Sequence, residues 1–228
     1  MRRIKQYLPA TSLATVLAAV VTLAGCASQS GTAPATSAAA AASPQWQRVH
    51  LGAGAGYDFP VYANHALNGD LRGIREVVFV QHGLQRNGDD YYEAGAALLK
   101  ASGRNPDEVL LVAPNFPGTP DAAKHFDNMP VWTVQGWIGG EDAVSGAGAG
   151  VSSLQVLDDL LAYVTDRQRL PMVRKVIVAG HSGGAQIVHR YAVLNNVDEK
   201  VRASGIDLRY VVANPSSYRS EEHTSELQ

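Results

Sequence analysis

The sequence predicts an α/β fold with a mostly parallel, doubly wound sheet, and three observations carry that prediction. Short apolar, β-branched runs at Glu76 to Val80, Val109 to Ala113, Val173 to Val178 and Leu208 to Ala213 read as strands. Stretches with apolar residues on helical spacing separate them, from Tyr91 to Ala101, from Leu154 to Leu161 and from Ile187 to Leu194. Alternation of this kind gives parallel neighbours with helices on both faces. Third, the last strand-to-helix change of period is made across one glycine-rich turn, Gly180-His181-Ser182-Gly183-Gly184.

Ahead of these elements, Arg2, Arg3 and Lys5 precede an apolar run from Leu13 to Leu23. That run is too short to span a bilayer as a helix but suits a signal h-region. It ends in Leu23-Ala24-Gly25-Cys26, which resembles the lipobox of bacterial lipoproteins. The resemblance implies a signal peptide over residues 1–25, lipid on Cys26 and attachment to the cell envelope. Ala27 after the cysteine points to the outer membrane. Cys26 is the one cysteine of the 228-residue chain, so no intramolecular disulfide forms. Residues 26–45, rich in Ala, Ser, Thr, Gly and Pro, lack the side chains to build a core and read as a tether. The net charge is −2, and its charges are scattered beyond the signal. This speaks against nucleic acid as a partner and against a polybasic membrane patch.

Globular composition begins at Trp46, and residues 46–218 are expected to form one domain. Val49 to Leu51 and Tyr57 to Tyr62 read as an antiparallel pair joined through Gly52, Gly54 and Gly56. The spacing fails as a dinucleotide loop because Tyr57 stands where the third glycine belongs. Gly146-Ala147-Gly148-Ala149-Gly150 fails likewise at Val151, with no strand leading in. With no phosphate loop or metal-ligand cluster in the sequence, no cofactor is expected. The segment from Gly118 to Ala149 has many Gly and Pro, and it follows a strand at the end where doubly wound sheets bind ligands. It is therefore expected to line or cover a pocket, with Trp132 and Trp137 as candidates; the alternative is that both tryptophans pack the loop onto the domain.

The turn around Ser182 fits G-x-S-x-G. A serine there is held in a strained backbone conformation, and side chains two residues to either side would collide with the adjoining strand and helix. The bend lifts Oγ above the sheet and brings the first N–H groups of the helix to the same point. Here the chain resembles the α/β-hydrolase superfamily, and within it the serine esterases, lipases and poly(3-hydroxyalkanoate) depolymerase-like enzymes, from about Trp46 to Tyr218. The strand from Glu76 ends in Gln81-His82-Gly83-Leu84-Gln85, similar to the oxyanion loop of that superfamily. The resemblance implies Ser182 as nucleophile and the N–H groups of Gly183 and Leu84 as oxyanion donors, with Gln85 as the alternative to Leu84. His82 is expected to shape the loop without transferring protons.

A serine nucleophile also needs a histidine and a carboxylate, which in this superfamily follow it as acid and then base. His189 falls mid-helix, and Asp198 and Asp207 fall at the far end of the sheet. Glu221, Glu222 and His223 are adjacent, whereas the family separates acid and base. They also lie in residues 219–228, which match the translation of a sequencing adapter and are expected to be a non-native tail. The natural domain is thus expected to continue beyond Tyr218, and the chain as written to be inactive. The expected activity is hydrolysis of small or polymeric carboxylic esters. A peptidase or thioesterase on the same fold, or a non-catalytic binding lipoprotein, are the alternatives.

Overall fold

Alternating strands and helices build an open six-stranded sheet in the computed structural model, which describes residues 46–121 and 129–217. The signal segment with Cys26, the tether, Tyr218, Glu221, Glu222, His223 and the rest of the tail lie outside the described residues. The strands are β1 (Trp46–Leu51), β2 (Tyr57–Ala63), β3 (Glu76–Gln81), β4 (Val109–Pro114), β5 (Lys175–His181) and β6 (Asp207–Ala213). Their spatial order is β1-β2-β4-β3-β5-β6. β1 and β2 pair antiparallel, and β2 joins β4 antiparallel. β4, β3, β5 and β6 run parallel. The mostly parallel sheet is the expected one, with the antiparallel hairpin at its edge.

The helices are α1 (Gly88–Ala101), α2 (Gly136–Gly139), α3 (Ser153–Thr165), α4 (Gly183–Leu194) and α5 (Asp198–Ala203). α3 starts where its sequence provides a cap, since the Ser152 hydroxyl accepts from the Gln155 N–H at 3.0 Å. It buries Val156, Leu157, Leu160, Leu161 and Val164. The one-turn α2 and the short α5 have no periodicity long enough to read, and the sequence did not announce them.

The two faces of the sheet are covered unequally. Val77 and Phe79 of β3 and Val176 and Val178 of β5 are buried, and Phe79 and Val178 line a small void with Leu157, Leu161 and Tyr191 of α3 and α4. The opposite face carries α1 over β3 and β4, leaving a groove of about 250 Å³ lined by Val78, Val80, Leu98 and Ile177. The β-branched run of Val173, Val176, Ile177 and Val178 suits a strand buried on both faces; instead only alternate residues of β5 are buried, because α1 does not extend over it. β4 is the strand buried throughout. In α4, Ile187, Val188 and Tyr191 are buried as expected, whereas Leu194 ends the helix 40% exposed.

Candidate active site

Ser182 stands between β5 and α4 with φ 57° and ψ −121°. A positive φ is uncommon for a non-glycine residue, and such strain persists where the surroundings over-determine it. Here the surroundings are backbone. A Cβ at Gly180 would stand 2.8 Å from the Ala185 nitrogen and closer still to the Gly184 main chain. At Gly184, a Cβ would overlap the Gln81 carbonyl and stand 2.6 Å from that of His82. Both glycines are thus required sterically, the first by the helix and the second by the end of β3. From the other side, the Ser182 N–H donates to the Ala213 carbonyl of β6 at 3.1 Å.

The end of β3 brings a second backbone group to this point. A Cβ on Gly183 would lie 3.2 Å from the Leu84 nitrogen, so the Leu84 main chain runs close beside Gly183. Among the described residues neither the Leu84 N–H nor the Gly183 N–H has a hydrogen-bond partner. The Gly83 carbonyl accepts from the His82 Nδ1–H at 2.8 Å and from the Arg86 N–H at 3.1 Å. Among the described residues no peptide is cis, so holding that carbonyl turns the Leu84 N–H of the same peptide the other way. Gln85 follows in the turn, and no hydrogen bond of its side chain is seen among the described residues.

His82 itself is fully buried. Its Nε2 accepts from the Phe116 N–H at 2.9 Å, which leaves the ring proton on Nδ1. Burial pushes its pKa down to about 4, with the neighbouring Arg86 charge acting in the same direction. A neutral imidazole with both nitrogens engaged ties the β3 and β4 loops together and lines no open pocket.

Trp132 and Trp137 are likewise wholly buried, correcting the expectation that they line or cover a pocket. Trp132 donates its indole N–H to the Glu141 carbonyl at 3.0 Å and meets Phe59 and Phe116 edge-on. Trp137 lies 4.5 Å from the His82 ring, centroid to centroid, and stacks on Phe116. The two rings pack the long loop onto the domain because an indole gains more from burial than from exposure at a rim. A cavity of about 620 Å³ does exist, but Gly52, Tyr57, Asp142, Gly148 and Asp159 line it, away from Ser182.

Among the described residues no acid–base pair reaches Ser182. Asp207 is paired with Lys175 at the start of β5, six residues from the level of His181 and Ala213, about 20 Å along the strands. Asp198 is held by Arg202 and by the Tyr210 hydroxyl. His189 lies inside α4, about 10 Å along its axis from the turn.

Three positions were missed in the sequence. Arg86 and Asp121 form an ion pair beside the loop that follows β3, and Gln186, one turn into α4, exchanges hydrogen bonds with Ser216 and Ser217 after β6. Each joins residues 30 or more apart, a separation that no local pattern signals.

A strained serine between a parallel strand and a helix, beside a mixed sheet of this strand order, decides the architecture. The fold is that of the α/β-hydrolases. No family model and no curated protein matches the chain. Solved structures with which it shares similarity include the poly(3-hydroxybutyrate) depolymerase LpqC from Bordetella parapertussis. The identity is 21% over 68% of this chain and 48% of that one, with a TM-score of 0.44. Poly(aspartic acid) hydrolase-1 from Sphingomonas sp. KT-1 is 20% identical over 77% of this chain and 58% of its own, with a TM-score of 0.49. The siderophore hydrolase EstB from Aspergillus nidulans is 17% identical over the same shares, with a TM-score of 0.39. The chain spans about half the length of these proteins.

Proposed function

We propose that the protein is a serine hydrolase acting on carboxylic esters through an acyl-enzyme on Ser182. The observation that carries this reading is the strained Ser182 turn beside the Leu84 and Gly183 N–H groups, which have no hydrogen-bond partner among the described residues. Oγ attacks the ester carbonyl, and the carbonyl oxygen gains negative charge as the tetrahedral intermediate forms. The two N–H groups donate to that oxygen, and the helix N-terminus adds a favourable field. The alcohol then leaves and water hydrolyses the acyl-enzyme. The proton on Oγ must pass to a histidine oriented by a carboxylate, and neither is supplied by the described residues. Small and polymeric esters share this chemistry, so the substrate class is the carboxylic ester as such.

A fluorophosphonate probe applied to the full-length protein tests the reading. Wild type should be labelled and Ser182→Ala should not, with ester turnover lower by a factor on the order of 10³ or more. Labelling that persists in Ser182→Ala would sink the assignment. The same proposal places lipid on Cys26 and the protein in the cell envelope; intact mass of the detergent-extracted protein tests it, and an unmodified N-terminus at any other residue would overturn it.

A further inference from the structure

The oxyanion loop is held by a residue two positions beyond its donor. Arg86 has φ 56°, one of three non-glycine residues with positive φ among the described residues. The other two, Ser182 and Asn214, end β5 and its neighbour β6, so all three strained residues lie at the carboxyl edge of the sheet. In this conformation the Arg86 N–H donates to the Gly83 carbonyl at 3.1 Å, while its guanidinium Nη1 donates to the Leu84 carbonyl at 3.2 Å. One residue therefore holds the peptides on both sides of Leu84. Fixing both peptides fixes the direction of the Leu84 N–H.

The guanidinium is itself clamped. Nε donates to Asp121 Oδ2 at 2.5 Å, and the same oxygen accepts from the Gly118 N–H at 2.9 Å. The two side chains are only 14% and 19% exposed, where solvent and salt screen the pair less than at an open surface. Gly118 leaves the space the guanidinium occupies, since a Cβ there would come 2.8 Å from Nε. A lysine ammonium has no rigid fork and cannot reach the Asp121 carboxylate and the Leu84 carbonyl in the same arrangement.

We infer that Arg86, clamped by Asp121, is a positioning residue that holds the Leu84 N–H in its oxyanion-binding direction. The inference rests on the reading of Ser182 as nucleophile. It is tested in the full-length protein with Arg86→Lys and with the isosteric Asp121→Asn, so that failure of one variant to fold leaves the other. Removing an oxyanion donor outright costs about 10²- to 10³-fold in kcat, and a donor left in place but unheld costs part of that. Arg86→Lys should lower kcat about 10- to 50-fold with KM within about twofold, and Asp121→Asn should lower it about threefold. Affinity for an alkylboronic acid, which forms a tetrahedral adduct on serine, should fall by the same factors. Affinity for the product carboxylate should not change. Ser182-dependent turnover with wild-type kcat and boronate affinity in both variants overturns the positioning role alone. So does a loss of thermal stability with boronate affinity retained. Wild type without any Ser182-dependent turnover overturns the nucleophile and the positioning role together.

Discussion

The two strands that flank β5 end differently, and the contrast explains how Ser182 is placed. At the end of β3, Gln81 and His82 are buried, both ring nitrogens of His82 are bonded to backbone, and the following turn is clamped through Arg86. At the end of β6, Val211 is 48% exposed and Asn214 is exposed with φ 51°. That flank is joined to the turn by the Ser182 N–H on the Ala213 carbonyl and by Gln186 on Ser216 and Ser217. The turn thus meets the end of β3 through closely packed backbone and the end of β6 through hydrogen bonds.

The largest effect expected from disturbing the contrast is at Gly184. Gly184→Ala drives a Cβ into the Gln81 and His82 carbonyls, and neither is the end of a flexible side chain. Relief requires α4 to move away from β3, at a cost of about 1–3 kcal/mol for overpacking. The urea midpoint should fall accordingly, and an unchanged midpoint would mean that the β3 flank yields easily.

The next effect is a pH dependence on the same flank. His82 is held near a pKa of about 4 when folded, against 6.5 ordinarily. Between these values the unfolded chain binds the extra proton, so stability falls as pH falls from 6.5 and levels off below about 4. At pH 5 the loss relative to neutral pH is about 2 kcal/mol, most of the roughly 3 kcal/mol that the full shift corresponds to. Urea unfolding at pH 7 and pH 5 should show it in wild type and not in His82→Gln. Equal slopes in the two proteins would place the acid sensitivity elsewhere.

On the open flank the expected effect is smallest. Val211→Lys on the β6 edge should change stability by no more than about 0.5 kcal/mol, because the side chain is half in water already. A charge on β6, the outermost strand among the described residues, should also reduce self-association, read by light scattering. A destabilisation of several kcal/mol would show that this flank is packed as tightly as the other.

Much of the fold was legible because its local demands are written in residue types. β-branched runs marked β3, β4, β5 and β6, the spacing of Leu154, Leu157, Leu160 and Leu161 marked α3, and Gly180 and Gly184 declared a turn with no space for a side chain at those two positions. The pairing of Leu84 with Gly183 came from resemblance rather than from spacing. The same local reading failed for Trp132 and Trp137, since nothing in a glycine-rich loop says whether an indole turns outward to a ligand or inward to Phe116.

By itself the sequence determined the alternation of elements and the backbone conformation at Ser182. Both follow from interactions within a few residues, where sterics and periodicity act without knowledge of the rest of the chain. Only the tertiary structure decided the order β1-β2-β4-β3-β5-β6, the unequal cover of the two faces of β5, the trapped neutral imidazole of His82 and the clamp between Arg86 and Asp121. Each of these depends on partners distant in sequence, and such partners are selected by how apolar area is buried and buried polar groups are paired in the packed chain.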